Sequence, residues 1–314
     1  MRFISKISAA ALIFALLLAL PGCSGMPDVP ESTGETPATE APTTEAPITE
    51  APTTEPQTAS PTVPVTTLPE IETTAEPEET KRDLSDITDL SKVVALTFDD
   101  GPDTRYTSST GRILDVLEKY NCKATFFVQT VQLTWTASST QDGTGESFAE
   151  RNKKTLKRAY DLGMEIGSHT YDHPSLNKIS TEEVVAQVEK SCAMIEEITG
   201  EKVKLFRPPG GGAGDSVLEA VDMPFILWDV DSRDWEDQDP DMAIEKIYAS
   251  IRGGSVILMH DTYGTTATAV EQLVPMLVED GYTLVTVSEL FELYGVELEG
   301  HHMYTSAHRG TYYK

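Results

Sequence analysis

The sequence predicts an α/β domain whose strands close, or nearly close, into a barrel, and three observations carry that prediction. Seven apolar runs, at 93–98, 122–128, 164–167, 203–206, 224–230, 255–259 and 282–287, read as strands. Helical patterns alternate with them at 112–120, 148–162, 181–199, 240–251 and 266–280. Strand-then-helix repetition implies a parallel sheet. An open doubly wound sheet is the alternative. The third observation favours the barrel: polar residues gather at the C-terminal ends of the apolar runs, where barrel active sites form. Individual boundaries have their own signals. Thr181 with Glu183 and Val184 reads as a capped helix start, and Gly200 as the stop of the same helix.

Ahead of this domain the chain changes character twice. Residues 1–23 open with Arg2 and Lys6 and continue into an apolar run from Ile7 to Leu20, with Ser8 its one polar residue. That is the layout of a secretory signal, and it is shorter than the about 20 apolar residues a membrane-spanning helix needs. Leu20-Pro21-Gly22-Cys23 resembles the lipobox of bacterial lipoproteins, with Pro21 where a small residue is usual, so Cys23 is the expected lipidation site. An ordinary cleaved signal with an incidental cysteine is the alternative. Residues 24–84 form a Thr/Pro/Glu-rich linker in which Glu40, Glu45, Glu50 and Glu55 recur every five residues. Such a composition buries too little apolar surface to offset chain entropy, so the linker is expected to be disordered and extended, a tether suited to a cell wall.

The net charge is −27. Ser24 to Thr80 holds twelve acidic residues and no Lys or Arg, and the folded part, 85–298, remains strongly acidic as well. Nucleic acid and anionic lipid headgroups are therefore excluded as partners, while neutral or cationic ones are admitted. The tail, 299–314, holds His301, His302 and His308.

Five polar clusters follow the apolar runs. Thr97-Phe98-Asp99-Asp100-Gly101-Pro102 sets two carboxylates side by side; neighbours on a strand face opposite ways, so the two are expected to have different tasks. His169-Thr170-Tyr171-Asp172-His173 spaces two imidazoles four apart, on one face if a helical turn forms. Two neutral imidazoles and a carboxylate make a metal site with open positions. Phe206-Arg207-Pro208-Pro209-Gly210-Gly211-Gly212 fixes an unusual backbone whose N–H groups suit a developing oxyanion. Trp228-Asp229-Val230-Asp231-Ser232-Arg233-Asp234-Trp235 adds carboxylates and aromatic rings, and Leu258-Met259-His260-Asp261 ends a strand on a candidate general acid or base. Each cluster alone also reads as a plain turn or loop.

Together the five resemble the polysaccharide deacetylase family, the NodB-homology domain of carbohydrate esterase family 4, through TFDDGP, HTYDH, RPPGG, DSRDW and LMH, across 92–292. The resemblance implies a distorted (β/α)7 barrel, in line with the strand count. It implies Asp99 as catalytic base, and Asp100, His169 and His173 as ligands of a divalent metal. Zinc is the first expectation, and the donor set also accepts cobalt, nickel or manganese. It further implies that Arg207 orients the base and that Asp234 tunes the general acid His260. Trp235 and Leu258 line the acetyl pocket, and the Gly210 N–H meets the oxyanion. In one departure, Gly210 stands where the family usually carries an aromatic residue, so a wall of the groove is lost and substrate choice is less constrained than the reaction.

The implied activity is removal of acetyl groups from N-acetylated polysaccharide, peptidoglycan first and chitin oligomers second. The expected enzyme is a monomer, lipid-anchored at the extracellular face of a bacterial cell membrane and reaching into the cell wall. Alternatives are an O-acetyl esterase on acetylated xylan and a non-catalytic wall-binding lipoprotein. Cys122, placed in a strand, and Cys192, in a helix, are expected as buried free thiols, although the compartment permits pairing. Segment 132–154 reads as a substrate loop or a mobile surface loop. The tail reads as packed on the barrel or partly disordered, with a second metal site as the outside reading.

Overall fold

The computed structural model describes residues 82–105, 108–136 and 145–308, with the backbone of Tyr312–Tyr313. The signal, Cys23 and the linker up to residue 81 lie outside the described residues, as do parts of segment 132–154 and of the tail. Among the described residues, no helix is long and apolar enough to cross a membrane.

Strands and helices alternate along the chain. They are β1 (Val93–Asp99), α1 (Ser109–Lys119), β2 (Thr125–Val128), α2 (Phe148–Asp161), β3 (Glu165–Ser168) and α3 (Thr181–Thr199). There follow α4 (Asp215–Ala220), β4 (Phe225–Ile226), β5 (Val230–Asp231), α5 (Asp234–Asp237) and α6 (Pro240–Ser250). The chain continues through β6 (Val256–His260), α7 (Gly264–Glu279), β7 (Thr283–Leu284), α8 (Val287–Leu293), β8 (Met303–Tyr304) and β9 (Tyr312–Tyr313). Among the described residues the strands pair in parallel except β8 with β9, and one isolated antiparallel bridge joins Ser255 to Ser306.

The sheet runs β3-β2-β1-β6-β5. Single bridges from Ser168 to Phe206 and from Phe206 to Phe225 carry it round to β4, which leads along the chain into β5. The barrel is distorted because β6, not β7, flanks β1 over Ala95–Asp99, while β7 pairs only Val93 and Val94. Alternation along each strand sorts the core into two layers. Val94, Leu96 and Phe98 of β1, with Ile257 and Met259 of β6, pack in the outer layer that holds the α1 and α7 apolar residues. Val93, Ala95, Phe127 and Val256 belong to the inner layer. The inner face of β1 therefore continues through Thr97 to Asp99, and that of β6 through Leu258 to His260.

Several expectations needed correction. Run 203–206 pairs only through the two bridges of Phe206, and run 224–230 splits into two short strands. Run 282–287 stops early because Thr286 and Glu289 form a capping box that starts α8. The cap of α3 is Ser180, paired with Glu183, and Thr181 is the first helical residue; Gly200 ends the helix at φ 79°. Cys122 precedes β2, and Cys192 is only partly buried. Both thiols are free, and burial pushes each up to about 11.

Candidate active site

β1 ends on Asp99, which is buried and is the register partner of His260 at the end of β6. Neighbouring register partners in a parallel sheet share a face, so carboxylate and imidazole project together from the C-terminal rim. The Asp99 Oδ1 accepts a hydrogen bond from Arg207 Nη1 at 2.7 Å. Arg207 is fully buried in the barrel. Its Nε donates to the Ile226 carbonyl at 2.8 Å, its Nη1 also to Thr97 Oγ1 at 2.8 Å, and its Nη2 to the Leu227 carbonyl at 3.0 Å. The guanidinium also lies over the Phe127 ring, 4.1 Å from its centroid. A planar cation held at this many points fixes the carboxylate's orientation.

Beyond the strand end Asp100 turns into the left-handed region at φ 76°. Gln132 Nε2 donates to its carbonyl at 2.7 Å and holds it there. The Asp100 Oδ1 is buried and has no hydrogen-bond partner. It faces His169 Nε2 at 3.7 Å and His173 Nε2 at 3.5 Å. One ligand atom from each of the three residues lies within 4.8 Å of the others. An orphaned carboxylate oxygen is costly unless a cation satisfies it, so this donor set fits a divalent metal. The tautomer agrees. His169 Nδ1 is 2.7 Å from the Arg207 carbonyl, which can only accept, so Nε2 carries the lone pair. Burial holds the His169 pKa below its ordinary value against the pull of Asp99 and Asp100, keeping the ring neutral. No helical turn forms at 169–173. Thr170 and His173 are left-handed at φ 68° and 63°, and this loop brings the ring centroids to 4.9 Å.

At the end of β6 His260 is held by Asp234. His260 Nδ1 lies 2.8 Å from Asp234 Oδ1, and the His260 N–H donates to Oδ2 at 2.7 Å. Thr266 Oγ1 donates to Oδ2 at 2.6 Å and the Trp235 N–H to Oδ1 at 2.9 Å, so the buried carboxylate is saturated. Burial opposes protonation of His260. The Asp234 hydrogen bond and charge, with Asp99 and Asp100 adding theirs, overcome it and raise the pKa to about 9.

Leu258 is buried one layer below His260 on the inner face, and Trp235 is 46% exposed beside Asp234. Gly210 is exposed at φ 62°, with open space where a side chain would begin. The Gly211 and Gly212 N–H groups donate to the Pro208 and Pro209 carbonyls. Neither Gln132 nor Thr266 stands out in the sequence, because an ordinary Gln in a segment read as a loop, or Thr in a helix, signals nothing until the fold aims it. Asp261 was visible beside His260 and was given no role. It packs over Gly101, where a Cβ would fall 2.0 Å from its Oδ2, and burial pushes its pKa up to about 7 against a 2.6 Å hydrogen bond from Thr110.

The tail histidines do not form a second metal site. Among the described residues the one metal-competent trio is Asp100, His169 and His173. His301 instead pairs with Asp222 at 3.2 Å, and His308 Nε2 accepts from Arg252 at 2.8 Å. The tail packs through Tyr304, which is 1% exposed.

The arrangement defines a barrel-rim site with a metal-competent donor set beside an oriented carboxylate, and an oriented, protonated imidazole paired in register with that carboxylate. Comparison with known proteins identifies the family. Residues 86–223 match the polysaccharide deacetylase family model. The chain is 37% identical over 202 residues to the peptidoglycan-N-acetylmuramic acid deacetylase PdaC of Bacillus subtilis, covering 64% of this chain and 39% of that protein. It therefore spans about two-fifths of the length of that relative. Among solved structures, a T48 deacetylase with substrate is 37% identical and matches at a TM-score of 0.59, over 69% of this chain and 99% of the other. A family 4 acetyl xylan esterase from Clostridium thermocellum, in complex with a cobalt ion, is 31% identical at a TM-score of 0.59, over 68% and 98%. The chain belongs to the polysaccharide deacetylase family, and its fold is that family's distorted (β/α)7 barrel.

Proposed function

We propose that this chain is a metal-dependent N-deacetylase of peptidoglycan, secreted and anchored through Cys23 with residues 24–84 as its tether. One observation carries the chemistry: Asp99 and His260 are register partners on adjacent strands, each with one side-chain atom occupied and the other left for substrate. A divalent cation on Asp100, His169 and His173 would supply Lewis acidity toward an acetamide carbonyl and an attacking water. Zinc is the proposed ion, and the cobalt held by the related esterase fits the same donor chemistry.

Asp99 takes the proton of the attacking water on Oδ2, since Oδ1 is engaged by Arg207. The N–H of Gly210, an exposed residue, would donate to the oxygen that gains charge. His260 gives its proton from Nε2 to the departing nitrogen, because Nδ1 is engaged by Asp234. The carbonyl carbon gains the water oxygen and loses the amine, leaving acetate and a free amino sugar. Leu258 and Trp235 bound the space for the acetyl group. An amine is a poor leaving group without a proton, and a His260 pKa of about 9 keeps that proton available at neutral pH.

Peptidoglycan is the proposed polymer because PdaC carries that substrate in its name and a tethered, acidic domain suits the wall. The likeness to an acetyl xylan esterase supports O-deacetylation of xylan as the second reading. Incubating wall fragments and acetylated xylan with the metal-loaded protein separates the two. Mass spectrometry is expected to show loss of one acetyl per modified sugar in the wall fragments. Release from xylan alone would overturn the N-deacetylase reading.

A further inference from the structure

The loop that carries both histidine ligands is left-handed at Thr170 and His173. Residues with a β-carbon rarely hold that conformation unaided. Two N–H groups, of Thr130 and Val131, hold the loop's carbonyls at Thr170 and Tyr171, at 3.3 and 2.7 Å. The loop's own N–H groups are held from α3. Gln187 Oε1 accepts from the Tyr171 and Asp172 N–H groups, both at 3.1 Å, while its Nε2 donates to Asp172 Oδ1 at 2.7 Å. One turn further along, fully buried Ser191 meets Ser168 Oγ at 2.9 Å, and Ser168 Oγ accepts from the Thr170 N–H at 3.3 Å. Residues four apart share a helix face, so one face of α3 grips the loop at both ends. Inside it, Thr170 Oγ1 accepts from the His173 N–H at 3.1 Å.

We infer that Gln187, supported by Ser191, is a positioning residue for the metal-binding set. It fixes the left-handed loop so that His169 and His173 present Nε2 to Asp100. Gln187 touches neither imidazole and acts through the backbone between them. The inference rests on Asp100, His169 and His173 being a metal site. The demand on position 187 is specific: an acceptor for two N–H groups and a donor for the Asp172 carboxylate, on one planar group. Partners hydrogen-bonded to a metal's own ligands typically change its affinity 10–100-fold when lost; Gln187 acts one bond further out, so the lower end, about 10-fold, is expected here.

The test uses the full chain stripped of metal. Zinc affinity is read by competition with a chromophoric chelator, and metal-free melting by circular dichroism. Gln187→Ala is expected to weaken zinc about 10-fold. Gln187→Glu keeps an acceptor but loses the donor and sets its carboxylate against that of Asp172, so it is expected to weaken zinc as well. Val188→Ala removes buried packing on the same helix and is expected to lower the melting temperature with zinc affinity unchanged. Should Gln187→Ala fail to fold, Gln187→Glu carries the test. Wild-type zinc affinity in the folded Gln187 variant would overturn the inference, as would equal weakening by Val188→Ala, which would mark a merely structural role. If the wild-type chain binds no zinc, the metal reading itself falls and takes the inference with it. Binding by wild type with no change at Gln187 sinks the inference alone.

Discussion

The two sides of the site solve one problem with opposite charges. On the β1 side a buried cation, Arg207, occupies one oxygen of Asp99; on the β6 side a buried anion, Asp234, occupies one nitrogen of His260. Each leaves a single atom, Oδ2 or Nε2, for the reaction proposed above. The sides differ in what holds them. The β1 side depends on left-handed backbone at Asp100, Thr170 and His173, whereas the β6 side depends on a carboxylate saturated by four donors. Strained backbone places ligands for an ion, and saturated side-chain bonding sets a proton. The β1 side should therefore fail through geometry and the β6 side through protonation.

The largest expected effect breaks both sides equally. Asp99→Asn keeps an oxygen for Arg207 but cannot take a proton, and His260→Gln keeps polarity without an acidic proton. Each is expected to lower acetate release by about 10²–10⁴-fold with an unchanged circular dichroism spectrum. Near wild-type turnover in either variant would remove that residue from the proposed mechanism.

Removing the two holding residues should separate the sides. Arg207→Met strands a buried carboxylate, which costs about 3–5 kcal/mol, read as a lowered urea midpoint. Asp234→Asn leaves its neighbours mostly satisfied and should act on His260 instead. In the metal-free protein the imidazole pKa, about 9 in the wild type, is expected to fall, as followed by NMR titration. The linked stability has a definite sign. A folded pKa above the unfolded value stabilises fully below about pH 6.5 and is lost as pH rises through about 9. The wild type should lose about 3 kcal/mol across that window, and Asp234→Asn much less. A bound divalent cation offsets the Asp99 and Asp100 contributions, so the titration should move to lower pH when metal is added.

Much of this site was legible before any fold was known, because chemistry restricts it to a few residue types at strand ends. Asp99, Asp100, His169, His173, Arg207, Asp234 and His260 do converge at one rim. What was not legible depends on distance in the chain. Nothing local shows that β6 rather than β7 lies beside the functional end of β1, and only that choice makes Asp99 and His260 neighbours. The spacing of His169 and His173 suggested a helical turn, but the hold from α3 selects a left-handed loop. Gln187 and Thr266 sit in helices as ordinary polar residues, and their partners lie on other elements. At α8 the signal was present: Thr286-Val287-Ser288-Glu289 is a capping box, overridden in reading by the apolar run before it.

The smallest expected effect isolates stability from both sides. Ser180 caps α3, the helix that grips the β1-side loop, by accepting from the Glu183 N–H at 3.3 Å while Glu183 returns a bond to the Ser180 N–H at 2.9 Å. Ser180→Ala breaks this box at the helix start, two turns away from Gln187. The expected cost is about 1 kcal/mol, or roughly 2–4 °C in melting temperature for a domain of this size. Zinc affinity and turnover should stay at wild-type values, because the later turns of α3 remain pinned by Val184 and Val188 in the core. If Ser180→Ala also weakened zinc, the grip on the ligand loop would extend to the whole of α3, and the β1 side would be sensitive to any loss of helix stability.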